Sequence, residues 1–107
     1  PYTTLFRSVK VIKLAKEIEI YIEKHEVFKN TIKIEFTNKE YDLLVYLAEN
    51  SGNVISREVL LDKLWGIDFI GDSRTVDIHI QRIRKKMQED KNSSIIETVF
   101  GVGYKLV

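Results

Sequence analysis

The sequence predicts an α+β domain in which a small antiparallel sheet leads into three helices and a C-terminal β-hairpin. Three observations carry that expectation. Short segments near the start alternate apolar and polar residues, as strands with one buried face do. The middle of the chain changes to apolar residues at helical spacing behind capping residues. The end, "IIETVF" and "YKLV" about Gly101-Val102-Gly103, is β-branched and aromatic and is broken by glycine, the pattern of a hairpin. At 107 residues and 44% hydrophobic content, the chain is long enough for one domain with a modest core.

The opening "PYTTLFRS", residues 1–8, resembles the in-frame translation of a sequencing-library adapter. It is set aside as non-native, leaving residues 9–107 as the domain. Met87 is the only methionine, so Pro1 is no natural start and the chain is expected to be a piece of a longer protein. "VIKL" (Val11–Leu14), "IEIYI" (Ile18–Ile22), "HEVFK" (His25–Lys29) and "IKIEF" (Ile32–Phe36) are the candidate strands, with Asn30-Thr31 as a turn. Thr37 and Glu40 then have the spacing of a capping box. Tyr41, Leu44, Leu47 and Ala48 continue at helical spacing, and Asn50-Ser51-Gly52 can close that helix. Ser56 is the N-cap of a second helix, Arg57–Trp65, which Gly66 ends. After the loop "GIDFIGDS" a third helix is expected from about Arg74 to Glu89. The polar stretch Asp90–Ser94 breaks it before the hairpin, residues 95–107.

The composition also excludes functions. Without cysteine there is neither a disulfide framework nor a thiolate metal site, and a cytoplasmic setting is the expectation. No apolar run approaches the roughly 20 residues that cross a bilayer, so no membrane association is expected. The net charge of +1 hides an uneven distribution. Residues 15–57 are acidic on balance, whereas Arg74–Lys86 carries Arg74, Arg82, Arg84, Lys85 and Lys86 against Asp77 alone.

On the third helix Val76, Ile80, Ile83 and Met87 fall on one stripe at about 100° per residue, which seats that face on the other helices. Arg74, Ile78, Gln81 and Lys85 lie opposite, flanked by Thr75 and Arg82. In a major groove, arginine or lysine can bridge guanine acceptors, glutamine can pair with adenine, and an aliphatic group can meet a thymine methyl. Arg84 and Lys86, further round, are placed to neutralise phosphates. A basic run alone is equally compatible with a solvated face. The short preceding helix, the hairpin able to act as a wing, and the concentration of charge on this element favour nucleic acid, with Arg57–Trp65 as the supporting helix.

"SREVLLDKLWG", "DSRTVDIHIQRIRKKM" and "IIETVFGVGYKLV", in that order, resemble the C-terminal effector domain of the OmpR/PhoB family of two-component response regulators. The similarity runs from about Val11 to Val107. It implies a winged helix-turn-helix with an N-terminal four-stranded sheet, three helices, a small strand near Val54 and a hairpin wing. It further implies binding of duplex DNA near promoters by two protomers on direct repeats, under control of a receiver domain phosphorylated by a sensor kinase. That receiver has no counterpart in these residues, so the chain is expected to be the output part. The resemblance makes Arg74, Thr75, Ile78, Gln81 and Arg82 base-reading candidates, and Trp65, His79, Arg84, Lys85, Lys86, Tyr104 and Lys105 backbone contacts. It makes Ile67, Asp68, Phe69, Ile70, Gly71 and Asp72 a contact loop for RNA polymerase. Two positions depart from the family pattern. Gln81 stands where several members carry Arg, and Phe100 stands where many place a wing Arg, so Phe100 is expected to pack under the hairpin.

Plainer roles stand beside these. Trp65 is expected to pack as well as to approach phosphate. Asp77 would repel phosphate and is expected to bond an arginine or a helix N-terminus. Phe69 is expected to fold onto the domain. His25 and His79 lack companions at ligand spacing, so no metal or cofactor is expected, and no nucleophile, base and orienting group can be assembled into an enzyme site. The competing function is protein docking through Ile78, Phe69 and Phe100.

Overall fold

A computed structural model describes residues 10–89 and 93–107. The adapter-like segment 1–8 and most of the polar break, residues 90–92, lie outside the described residues. The described residues form strands β1 (Val11–Leu14), β2 (Ile18–Tyr21), β3 (Glu26–Lys29) and β4 (Ile32–Ile34). There follow helix α1 (Asn38–Glu49), β5 (Ile55–Ser56), α2 (Arg57–Trp65), α3 (Arg74–Lys86), and the hairpin β6 (Ile96–Val99) and β7 (Gly103–Leu106). The chain divides into two compact units at Glu35/Phe36.

In the first unit β1 to β4 form an antiparallel sheet in sequence order. Its register aligns Ile12, Ile20, Val27 and Ile34 across the strands, so the alternating pattern puts these residues on one face; Ile18, Ile20 and Val27 are buried. On the other face Tyr21 meets Phe28 edge-on at 5.4 Å. β1 has its expected bounds, whereas β2, β3 and β4 are shorter than expected. Residues Ile22–Lys24 form a single 3-10 turn closed by left-handed His25 (φ 53°), which delays β3 to Glu26. Asn30 and Thr31 both take positive φ, 52° and 67°, the twist that a two-residue hairpin loop requires.

In the second unit the capping box forms as expected. Thr37 Oγ1 accepts from Glu40 N–H at 3.3 Å and Glu40 Oε1 accepts from Thr37 N–H at 2.9 Å. Ser56 Oγ caps α2 through Val59 N–H at 3.1 Å. Only Leu60 of α2 is fully buried; Leu61 and Leu64 are half-buried. Leu43, Leu44, Leu47, Leu60, Ile80, Ile83, Met87, Ile96 and Leu106 make the core of the unit, and α3 packs on both α1 and α2. β5 and β6 flank β7 in a three-stranded sheet. There Gly103 has no room for a side chain, because a Cβ would stand 2.0 Å from the carbonyl oxygen of Ile55.

Helix α3 ends three residues before the expected Glu89. Gln88 adopts φ 57°, its N–H donates to Lys85 O at 3.0 Å, and Glu89 N–H donates to Arg84 O at 2.9 Å. This is a Schellman closure with glutamine where glycine is usual. Polar composition alone placed the break late, since no glycine signals it.

Glu40 is 2% exposed and takes a further bond from Lys86 Nζ at 2.6 Å. Burial pushes its carboxyl pKa up, but the bonds from Lys86 and Thr37 N–H and the Lys86 charge outweigh it and hold the pKa below the ordinary value. A depressed folded pKa means stability present above the unfolded value of about 4.3 and lost as pH falls through the folded value.

Three outcomes are expected in urea unfolding. Gly103→Ala lowers stability by roughly 1–3 kcal/mol because β5 must move, and an unchanged midpoint would contradict the close approach. Gln88→Gly raises stability by about 0.5–1 kcal/mol, since glycine adopts the left-handed conformation without the Cβ penalty. Glu40→Gln lowers stability at neutral pH and flattens its decline in acid, whereas an acid limb as steep as the parent's would place the responsible carboxyl elsewhere.

Candidate nucleic-acid interface

The interface is built on α3. Val76, Ile80, Ile83 and Met87 are each 0% exposed, so the predicted stripe is the buried edge. A second, polar set of bonds fixes the helix against its neighbours. Asp77 Oδ1 accepts from the Tyr104 hydroxyl at 2.5 Å, and Asp77 Oδ2 accepts from Arg57 Nη1 at 3.2 Å. One carboxylate thereby joins α2, α3 and β7, and the expected arginine partner of Asp77 is Arg57.

Arg84 was expected at phosphate, but its side chain is turned inward. It is 7% exposed, donates from Nη2 to Ile96 O at 2.6 Å and to Thr98 Oγ1 at 2.9 Å, and lies over the Tyr104 ring at 5.9 Å. Burial holds its pKa below the usual arginine value. Its position is that of a clasp between α3 and β6. Tyr104, also expected near phosphate, is 6% exposed; burial first, then the bond to Asp77, pushes its phenol pKa up. Lys86 pairs with Glu40 and lies over the Phe36 ring at 5.7 Å. Lys105 pairs with Glu97 at 3.4 Å across the hairpin. Periodicity could not anticipate the inward turn of Arg84 or the pairing of Lys86, because long cationic side chains on the flanks of a helix reach either water or a neighbouring element.

What remains outward is compact. Ile78 is 47% exposed, and Gln81, Arg82 and Lys85 are exposed with no ion pair or side-chain hydrogen bond among the described residues. Arg74 is exposed too, but its guanidinium is held by Asp72 at 2.9 Å. Thr75 is half-buried, and its carbonyl lies 2.8 Å from His79 Nδ1. His79 meets the Trp65 ring edge-on at 4.9 Å, and Lys39 stands over the same indole at 5.6 Å while donating to Leu64 O. Trp65 therefore packs, as expected, at the junction of α1, α2 and α3. Lys39 has no sequence signal as a partner of Trp65, since the two are 26 residues apart on different helices.

The hairpin departs from expectation at Phe100, which is 78% exposed instead of packing beneath it. Val102 N–H donates to Val99 O at 3.0 Å and Gly101 takes φ 76°, so a tight turn lifts Phe100 to the tip. Between tip and helix lies a cleft of 240 Å³ lined by Arg57, Asp77, Gln81, Arg84, Phe100 and Tyr104 among others. In the loop before α3, Phe69 leans on Trp65 at 6.3 Å, as expected, while Ile67 and Ile70 are almost fully exposed. Among the described residues no three His, Asp or Glu side chains converge as metal ligands, and no helix is long and apolar enough to cross a membrane.

Residues 30–106 match the family described as "Transcriptional regulatory protein, C terminal". The chain is 43% identical over 93 residues to the sensory transduction protein RegX3 of Mycolicibacterium smegmatis, a match covering 86% of this chain and 41% of that protein. The crystal structure of the Klebsiella pneumoniae RstA DNA-binding domain in complex with the RstA box is similar with a TM-score of 0.82 at 28% identity, over 92% of this chain and 97% of that one. The response regulator DrrB, a Thermotoga maritima OmpR/PhoB homolog, has a TM-score of 0.82 at 35% identity, over 96% of this chain and 47% of that one. With the helix pair, the wing and the sheet in place, the chain belongs to the C-terminal domain family of transcriptional regulatory proteins, as an effector domain of the OmpR/PhoB type.

Proposed function

We propose that this chain binds double-stranded DNA sequence-specifically, as the output domain of a two-component response regulator that controls transcription. In this reading α3 lies in the major groove and the hairpin beside it acts as the wing. One observation carries it: Ile78, Gln81, Arg82 and Lys85 stand exposed and uncommitted on a helix whose opposite edge is wholly buried. A methyl group, an amide and two cations on one rigid face are the chemistry that distinguishes base edges. The similarity to a domain crystallised with its DNA box supports the reading.

Base contacts fall to Ile78, Gln81 and Arg82, with Thr75 and Arg74 at the start of the helix. Lys85 is the best-placed phosphate contact. His79 and Trp65 approach the backbone where α2 meets α3, and Lys105 serves the wing once released from Glu97. Arg84, Tyr104 and Lys86 contribute by holding the helix and hairpin in place. The exposed Ile67 and Ile70 support the loop Ile67–Asp72 as a polymerase contact. A second protomer on adjacent repeats, a sensor kinase acting only through a receiver domain, and a cytoplasmic, non-enzymatic role complete the proposal.

A mobility-shift titration on a duplex selected from a random pool tests this. The affinity is expected to fall along log salt with a slope of about −0.9 per phosphate neutralised. Arg82→Ala should weaken the selected site by about 10-fold or more and relax the preference at the base pair it contacts, and Gln81→Ala and Ile78→Ala should mainly change which base pair is preferred. Binding indifferent to all three substitutions would remove α3 from the interface.

A further inference from the structure

Arg74 opens α3, and its side chain is gripped by Asp72, two residues earlier. Arg74 Nε donates to Asp72 Oδ1 at 3.3 Å and Oδ2 at 3.2 Å, and Nη2 donates to Oδ2 at 2.9 Å. The backbone N–H of Arg74 donates to Oδ1 at 3.0 Å, so the same carboxylate caps the helix. Side-chain exposure is 82% for Arg74 and 58% for Asp72. An ion pair this exposed adds little to stability, so its main effect is on geometry.

A guanidinium holds its N–H groups in one planar fork. Here the Nε/Nη2 edge is committed to the carboxylate. The N–H groups that remain lie along the other edge, both on Nη1 and one on Nη2, and are pitched to meet two acceptors side by side. Guanine offers O6 and N7 in that arrangement on the floor of the major groove. A side chain that would otherwise sample many rotamers is thus biased toward one that leaves this edge open, at the end of α3 that a helix-turn-helix brings to base edges.

We infer that Asp72 is a positioning residue for sequence readout, holding Arg74 as a guanine reader. The inference rests on the duplex-binding reading above and takes Asp72 out of the polymerase-contact loop. It carries an opposing effect that makes it testable. A carboxylate close to the DNA repels phosphate on every sequence, so Asp72 weakens general affinity while sharpening the choice of base. The hydrogen bonds from Arg74 hold the Asp72 carboxyl below its ordinary pKa, so it stays charged throughout the neutral range.

The experiment compares the selected duplex with duplexes changed at the one base pair to which Arg74→Ala is sensitive. Asp72→Asn keeps an oxygen for the helix cap but loses the charged fork. It is expected to lower the guanine preference there by about 3- to 10-fold, against about 10-fold or more for Arg74→Ala. Binding to random-sequence duplex should become tighter, and the double variant should match Arg74→Ala alone. Asp72→Ser, which also caps without the fork, should repeat the result with an unchanged thermal midpoint and guards against a folding defect in the first variant. If Asp72→Asn and Asp72→Ser tighten all duplexes equally and leave the preference intact, the carboxylate is only a like charge and the inference falls. It falls too if Arg74→Ala alters the salt slope without altering any base preference. If the parent chain discriminates no duplex from another, the functional reading itself fails, a result separable from both.

Discussion

The complete burial of the Val76, Ile80, Ile83 and Met87 edge of α3 is the constraint on which the rest depends. A helix offers one narrow apolar stripe, and once that stripe is in the core every other residue's direction is set by the helical period. Ile78, Gln81, Arg82 and Lys85 face outward because they lie across the helix from the stripe, not because anything holds them out. Their idle state costs little on a surface and leaves them free for a partner.

Apolar seating fixes rotation, but polar bonds fix the neighbours that frame the exposed face. Asp77 ties Tyr104 of β7 and Arg57 of α2 to the same turn of α3, and Arg84 reaches from the next turns to the β6 backbone. Burying an arginine is costly unless it finds partners. Arg84 finds them through Nη2, and with half-buried Asp77 it ties α2, α3 and the hairpin into one polar frame. Of the cationic charge that the sequence concentrates on α3, Arg84 serves this frame and Lys86 pairs with Glu40, while Arg74, Arg82 and Lys85 face solvent.

Much of this was legible in the sequence because it follows from period and caps. The alternation of residues 18–20, the Thr37/Glu40 box, the Ser56 cap and the four-residue edge of α3 all have the geometry that spacing predicts. The end of α3 was not legible, since Gln88 takes a conformation that glycine would have announced. Nor were the directions of Arg84, Lys86 and Tyr104, which depend on strands and helices far away in sequence. Phe100 was misjudged because apolar character suggested burial, while the tight Val99–Val102 turn lifts it to the tip. The Asp72 grip on Arg74 has no periodic signature, because it rests on a two-residue spacing at the loop end just before α3.

The central claim, that the outward face of α3 is the surface that meets bases, is tested most directly by methyl NMR of the chain bound to its selected duplex. The account predicts that the Ile78 methyl is among the most shifted signals and gives nuclear Overhauser contacts to major-groove protons such as thymine methyls, while Ile80 and Ile83 move little. An Ile78 methyl that stays at its free position, with shifts confined to Ile67, Ile70 or the hairpin, would contradict it.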